Sequence, residues 1–184
     1  VVRVYDGHSV DGRYVPPGAY SAFLRGVLAE ASGDLRGAIA AYDEARDEDS
    51  DDPEIATRIG AVRCTLNPND PQIDRAFARA LKLDASHASA LAAEGRCALA
   101  RGKAEEAKSF ARAALALDPQ NVALKALNVH AEAAGSASPD PAQRDRAIAL
   151  TKAHGEHAAA WDALIAWGYS KKDAELVARG LEGL

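Results

Sequence analysis

Two histidines near the C-terminal end are the residues whose spacing comes nearest to a metal site. His154 and His157 flank Gly155 and Glu156. Imidazole and carboxylate groups bind zinc, but zinc needs three or four converging ligands, and Gly155 predicts a helix break between the histidines. No other histidine or cysteine is close in the sequence, so we expect no metal and no cofactor. A metalloenzyme using His154 and His157 is the alternative.

Other arrangements that support catalysis are also missing from the sequence. It contains no Ser-His-Asp or Cys-His order, no Gly-rich phosphate loop and no metalloprotease motif. We therefore expect that the chain is not an enzyme.

Charge and hydropathy exclude two further classes of partner. The net charge is -5 and no run of Lys and Arg occurs, so we do not expect nucleic-acid binding. No apolar stretch approaches the roughly 20 residues that span a bilayer. The sequence has no methionine, which predicts that residues preceding Val1 were removed. A signal peptide is one candidate for them.

The first 17 residues differ from the rest of the chain. Residues 1–17 combine valines and tyrosines with the turn dipeptides Asp6-Gly7 and Asp11-Gly12, and end at Pro16-Pro17. They predict an extended leader or a short hairpin. A lone hairpin is marginally stable, so it either packs on the first helices or presents a strand to a partner.

Beyond the leader, the abundance of alanine and the periodicity of apolar residues predict helices throughout. Asp52-Pro53, Asp70-Pro71 and Asp140-Pro141 each combine an N-cap with proline at the first helical position. We predict ten helices in five antiparallel pairs, at about residues 18–31, 35–48, 53–66, 71–83, 88–101, 104–117, 122–134, 141–154, 157–168 and 171–182.

Small residues recur along these helices with a fixed period. Gly26, Gly60 and Gly95 are 34 or 35 residues apart, and so are the alanines at positions 45, 80 and 114. This period is typical of stacked helical hairpins, whose apolar faces are buried only by a neighbouring hairpin. A slightly longer repeat, such as the Sel1-like type, fits the spacing less well.

The sequence resembles the tetratricopeptide repeat (TPR). The first unit has Gly26, Gly33-Asp34, Ala38, Tyr42 and Ala45, and the third has Gly95, Gly102, Ala107, Ala114 and Pro119. The second unit keeps Gly60, Phe77 and Ala80, and the last two units diverge. The resemblance implies an all-α fold, a right-handed superhelical array of antiparallel helix pairs (a TPR-like α-solenoid). It predicts a leader over 1–17, repeats over 18–51, 52–86 and 87–120, a divergent repeat over 121–156, and a divergent repeat or C-terminal cap over 157–184.

The resemblance also implies a non-catalytic protein–protein interaction scaffold, in which the first helix of each pair lines a concave groove. By repeat register, the partner-binding groove comprises Tyr20, Phe23, Val27, Glu30, Thr57, Ala61, Arg96, Leu99 and His130. Most first-helix positions are small or apolar, which favours an apolar peptide or helix as ligand. A carboxylate clamp is disfavoured, because Phe23, Val27, Ala92 and Arg96 stand where that subfamily has its lysines, asparagines and arginine.

Several alternatives remain open on the sequence alone. One alternative is that the leader or the last helix of the chain itself fills the groove. A second question is whether Arg58, Arg63 and Arg96 bind an acidic partner or are simply solvated. The alternative function is that of a structural or assembly subunit, which would act through its leader and its C-terminal helices as a homo-oligomer. An exposed Trp161 or Trp167 would indicate such a contact.

The cysteines and the composition bear on location. Cys64 and Cys97 are two positions apart in repeat register, and two residues turn a helix by about 200°, so we expect two free thiols pointing to different sides. A disulfide or redox pair is the alternative. The alanine- and arginine-rich composition suggests a bacterium with a GC-rich genome. There the resemblance implies a lipoprotein or a pilus or secretion assembly factor, favouring the periplasm or outer membrane over the cytoplasm.

Overall fold

The computed structural model describes residues 2–5, 8–11, 14–136 and 140–184. The strands β1 (Val2–Tyr5) and β2 (His8–Asp11) pair antiparallel, with Tyr5 opposite His8. Asp6-Gly7 and Gly12 of the predicted turns lie outside the described residues. The helices of the described part are α1 (Pro17–Ala31), α2 (Leu35–Glu48), α3 (Pro53–Leu66), α4 (Ile73–Leu83), α5 (Ala88–Ala100), α6 (Ala104–Leu117), α7 (Val122–Ala134), α8 (Pro141–Ala153), α9 (Ala158–Lys171) and α10 (Ala174–Gly183).

This architecture confirms the predicted all-α array of helix pairs with an extended leader. Within the first three pairs, α1 packs on α2, α3 on α4 and α5 on α6, and each pair also packs on the first helix of the next. In the C-terminal half α7 packs mainly against α9, with α8 alongside. The division of the sequence into individual repeats stays a prediction.

Three predicted helix boundaries are wrong, at two places in the chain. Helix α4 begins at Ile73 rather than at residue 71, because the Asp70 carboxylate accepts the backbone N–H of Gln72 at 2.8 Å and holds Pro71 in a turn. Helix α9 continues to Lys171 rather than ending at residue 168, and α10 begins only at Ala174.

The turn after α9 explains the second error. Lys172 has φ 57°, in the left-handed region that Gly33 (φ 81°) and Gly102 (φ 72°) occupy after α1 and α5. In all three turns the next residue donates its N–H to the carbonyl five residues earlier, and for Asp173 this acceptor is Gly168 at 2.9 Å. The left-handed conformation costs a non-glycine residue roughly 1–2 kcal/mol, and the sequence offers no glycine here to mark the turn.

Glycines on the first helices allow the second helices to approach closely. The ring of Tyr42 is fully buried against Gly26, and the ring of Phe77 against Gly60. A Cβ atom at Gly60 would lie 2.7 Å from Cε1 of Phe77, and one at Gly26 would overlap the Tyr42 ring. At Gly95 the nearest atom would be Cβ of Phe110 at 3.3 Å.

The cysteines form a disulfide, so the expectation of two free thiols is wrong. Cys64 on α3 is bonded to Cys97 on α5, with their Cα atoms 5.9 Å apart, and both residues are buried. The two helices pack side by side. Where two helices of the same direction pack side by side, the residues that face each other lie on opposite sides of their own helices, and so about half a turn apart in repeat register. The offset of about 200° therefore favours a bond. A bridge over 33 residues stabilises the fold by about 4 kcal/mol in the chain-entropy model.

Gly60→Ala and Gly95→Ala form a matched pair that tests the glycine contacts. We expect Gly60→Ala to lower the free energy of unfolding by about 1–3 kcal/mol, because the new methyl group overlaps the buried Phe77 ring. Gly95→Ala should be close to neutral, since the helix propensity of alanine offsets the tighter contact with Phe110. Urea unfolding measures both changes, and equal losses would contradict this account.

Candidate functional site

The first helices of four pairs enclose one cavity, called here the first-helix cavity. It has a volume of about 370 Å³ and is lined from α1, α3, α5 and α7. Small side chains leave the space open, and charged or polar ones project into it. Its lining comprises Glu30, Glu54, Thr57, Arg58, Ala61, Thr65, Ala88, Ser89, Ala92, Ala93, Arg96, Asn121, Ala123 and Leu124.

A charged network occupies the α1–α3 side of this cavity. Arg58 donates from Nε to Glu54 at 2.8 Å, as expected for residues four apart on a helix, and its Nη1 lies 3.5 Å from Glu30. Glu30 also accepts the hydroxyl of buried Tyr42 at 2.8 Å, and Nε2 of His87 lies 3.1 Å from Glu54. Both carboxylates are therefore held by protein groups.

The pKa shifts follow from these contacts. Burial, and then the hydrogen bond to Glu30, raise the pKa of Tyr42 above its ordinary value. Burial by itself lowers the pKa of Arg58, but the hydrogen bond and charge of Glu54 and the charge of Glu30 outweigh it and raise the pKa overall. The network thus keeps Arg58 charged and Tyr42 neutral.

Arg96 stands apart from this network. Among the described residues no carboxylate lies within ion-pair distance of its guanidinium. The surrounding helices, and secondarily the charge of Arg58, lower the pKa of Arg96. The Arg96 side chain nevertheless remains exposed to solvent. Both observations hold at once in a cavity wall, which crowds a group with protein atoms and still leaves it open to water.

The disulfide lies in the same wall. Arg96 precedes Cys97 in α5, and a small cleft beside the first-helix cavity is lined by Ala61, Thr65, Arg96 and both cysteines. The covalent bond between α3 and α5 thus fixes the spacing of the two helices that carry Arg58 and Arg96.

The structure brings together four of the nine predicted groove residues and leaves five outside the lining. Glu30, Thr57, Ala61 and Arg96 line the first-helix cavity. Thr57 is buried and donates its hydroxyl to the Pro53 carbonyl at 2.8 Å. The other five are Phe23 and Val27, which pack against the Tyr42 cluster, Leu99, which packs against another core cluster, and the exposed residues Tyr20 and His130.

The character of the lining also differs from the prediction. The register predicted an apolar groove, whereas Glu30, Glu54, Arg58 and Arg96 give this cavity two carboxylates and two guanidinium groups. The apolar side chains expected there are used for packing, as the 5.4 Å separation of the Phe23 and Tyr42 ring centroids illustrates. Whether the nine residues contact a partner stays a prediction.

Ten of the fourteen lining residues lie outside the predicted set, and the sequence carries signals for two of them. Asn121 lies at the N-cap of α7, where its side chain accepts the N–H groups of Ala123 and Leu124. Thr65 follows Ala61 by four residues on α3 and therefore shares its face. Repeat register selects a few positions of each first helix, and these two residues are not among them.

The histidine pair and the two tryptophans near the C-terminal end lie outside the lining of the first-helix cavity. The rings of His154 and His157 have centroids 6.2 Å apart, and the described part of the chain holds no group of three or more His, Cys, Asp or Glu side chains arranged for a metal. Trp167 is buried, and Trp161 is half-buried and donates to the Gly155 carbonyl at 2.8 Å. No helix of the described ranges is both long and apolar enough to cross a bilayer.

Solved structures share this fold, while no protein-family model and no curated protein matches the chain. MamA from Desulfovibrio magneticus RS-1 (41 to the end) is 18% identical, with a TM-score of 0.64 over 92% of this chain and 96% of that one. A thermophilic TPR protein of Thermus thermophilus is 16% identical, with a TM-score of 0.58 over 90% and 98%. The first TPR of Spaghetti (RPAP3), bound to the HSP90 peptide SRMEEVD, is 23% identical, with a TM-score of 0.57 over 66% and 96%. The chain therefore has the TPR fold, as its sequence pattern predicts.

Proposed function

We propose that this chain is a non-catalytic scaffold that binds a segment of a partner protein in the first-helix cavity. The TPR fold supports an interaction scaffold in general, and one solved neighbour, the Spaghetti TPR, is bound to a peptide. The more specific part of the proposal is that an acidic side chain of the partner segment pairs with Arg96. The observation that carries it is the guanidinium of Arg96, which lies in the cavity wall without a carboxylate partner among the described residues.

The guanidinium charge of Arg96 is crowded by protein atoms but is not neutralised by a carboxylate among the described residues. Glu54 and Glu30 neutralise Arg58, while Arg96 is partly desolvated and repelled by Arg58. A carboxylate brought to Arg96 would form a charge-assisted hydrogen bond, which is stronger than one between neutral groups. The small residues Ala92, Ser89 and Ala123 leave room for the backbone of an extended segment.

Peptides with a single variable charge test this proposal. Fluorescein-labelled extended peptides carry one Glu, or one Lys at the same place, in an Ala-Ser background, and fluorescence anisotropy measures their binding. We expect the Glu peptides to bind more tightly than the Lys peptides, and Arg96→Gln to weaken them by about tenfold.

Arg36→Gln provides the matched control, because Arg36 is an exposed arginine of α2 that lines neither this cavity nor its neighbours. It should leave the affinity of the Glu peptides unchanged. Equal losses in the Arg96 and Arg36 variants, or no preference for Glu over Lys, would count against the role of Arg96.

We also propose that the chain resides in an oxidising compartment, such as the periplasm, or on the outer membrane as a lipoprotein. The Cys64–Cys97 bridge supports this, because disulfides persist in such compartments and are rare in a reducing cytosol. This support comes from redox chemistry and does not depend on the identity of the partner.

Thiol trapping in the source cells tests the compartment. Cells are quenched with acid and alkylated before any reductant is added, and peptides containing Cys64 and Cys97 are analysed by mass spectrometry. We expect alkylation of these cysteines only after reduction. Complete alkylation in the unreduced sample would refute the oxidising location.

The exposed face of α1 favours a second candidate function, that of a self-assembling structural subunit. Tyr20, Leu24 and Leu28 are 59%, 42% and 70% exposed, and their spacing of four residues places them on one helix face. Apolar surface of this kind on the first helix of an array supports contact with another protein or another copy.

Light scattering over a range of concentrations tests self-assembly. We expect the wild type to exceed the monomer mass at high concentration and Leu28→Glu to remain monomeric. Leu117→Glu is the control, because Leu117 is 45% exposed at the end of α6 and so gains a charge at a different place. A wild-type monomer at every concentration would eliminate this candidate.

A further inference from the structure

A second cavity is lined by four arginines and lies between α2, α3 and α4. It has a volume of about 380 Å³ and is called here the arginine pocket. Its buried base is formed by Ala56 and Ile59, and no carboxylate belongs to its lining. The polar lining consists of Arg46, Arg63, Gln72, Arg75 and Arg79. Hydrogen-bond donors therefore dominate this pocket in a chain whose net charge is -5.

Two of the arginines form ion pairs with carboxylates that do not belong to the pocket lining. Asp43 binds Arg46 at 2.6 Å and lies 3.6 Å from Arg63, and Asp70 binds Arg63 at 3.1 Å. The Arg63 side chain is only 16% exposed, and its Nε is buried without a hydrogen-bond acceptor among the described residues. A buried N–H group without an acceptor is costly, and an oxyanion in the pocket would supply one.

The other two arginines belong to α4 and keep more of their charge. Arg75 and Arg79 are four residues apart and so share a helix face, where like charges repel. Arg79 donates to the Ser50 carbonyl at 2.8 Å, which leaves its charge unneutralised. In the described ranges no carboxylate lies within ion-pair distance of Arg75 or Arg79.

We propose that the arginine pocket binds a phosphoryl group. Guanidinium forks donate pairs of hydrogen bonds to phosphate oxygens, and the two unneutralised charges of Arg75 and Arg79 match a dianion better than a single carboxylate. Because the pocket is larger than one phosphate, the group is carried by a larger molecule: a phosphorylated side chain of a protein or a free phosphorylated metabolite.

Calorimetry on the whole chain tests the pocket with defined probes. Pyrophosphate represents a free phosphorylated molecule, and the peptide acetyl-Gly-phosphoserine-Gly-amide represents a modified protein. We expect at least one probe to bind the wild type, and both Arg75→Gln and Arg79→Gln to weaken it by about tenfold or more. Arg75→Lys should weaken it less than Arg75→Gln, because lysine keeps the charge and loses the fork. The tighter of the two probes identifies the source of the group.

Variants elsewhere separate this site from general electrostatics and from the proposed function. Arg36→Gln and Arg96→Gln should leave the affinity of the probe unchanged, since neither residue lines the arginine pocket. Circular dichroism confirms that each variant is folded. The proposal is overturned if neither probe binds, if Arg36→Gln weakens binding as much as Arg75→Gln does, or if Arg96→Gln is the variant that abolishes it.

Discussion

The packing of an aromatic ring directly on a glycine is the contact on which the rest of this structure depends. Without a side chain at Gly26 or Gly60, the ring of Tyr42 or Phe77 packs directly on the first helix of its pair. This contact also determines the chemistry one turn further along α1, on the same face of the helix. Because Tyr42 is drawn into the interior, its hydroxyl reaches Glu30, which in turn faces Arg58. The packing of the first pair thereby positions the charges of the first-helix cavity.

The disulfide supplies a second constraint, which acts between pairs. Glycine contacts set the distance within a pair, whereas the bond between Cys64 and Cys97 sets the distance between the first helices α3 and α5. It lies beside Arg96, so the position of this cation relative to Arg58 is fixed covalently as well as by packing. A preformed cavity loses less conformational entropy when a ligand binds, which suits a scaffold that does not fold around its partner.

Much of the fold is predictable from the sequence because the signals are local. Asp52 caps α3 through two backbone N–H groups, as its position before Pro53 predicts, and the glycine period identifies the close contacts. The turn at Lys172 is not predictable in this way, since its left-handed conformation is imposed by the packing of α9 and α10 on a residue that disfavours it. The backbone conformation at such a position depends on tertiary contacts, which local residue propensities do not reflect.

The candidate site was harder to predict than the fold for a related reason. Repeat register assigns all nine residues to one groove. In the structure Glu30, Thr57, Ala61 and Arg96 line a single cavity, whereas Phe23 and Leu99 pack with core clusters. Repeat register predicts two free thiols because it compares the orientations of the two cysteines and requires them to be identical for a bond. Between neighbouring helices of the same direction, the facing positions are half a turn apart instead.

Helix α3 contributes lining residues to both cavities, so any coupling between them through a shared element would pass through α3. Thr57, Arg58 and Ala61 line the first-helix cavity, whereas Ala56, Ile59 and Arg63 line the arginine pocket. Between these faces, Ile55, Val62 and Cys64 are buried in the core or bonded to α5. Coupling between two sites requires an element with two arrangements, and a helix fixed by a glycine contact and a disulfide has little freedom to adopt a second one. Under the two proposals made above, the two cavities should therefore bind their ligands independently, without either ligand altering the affinity of the other.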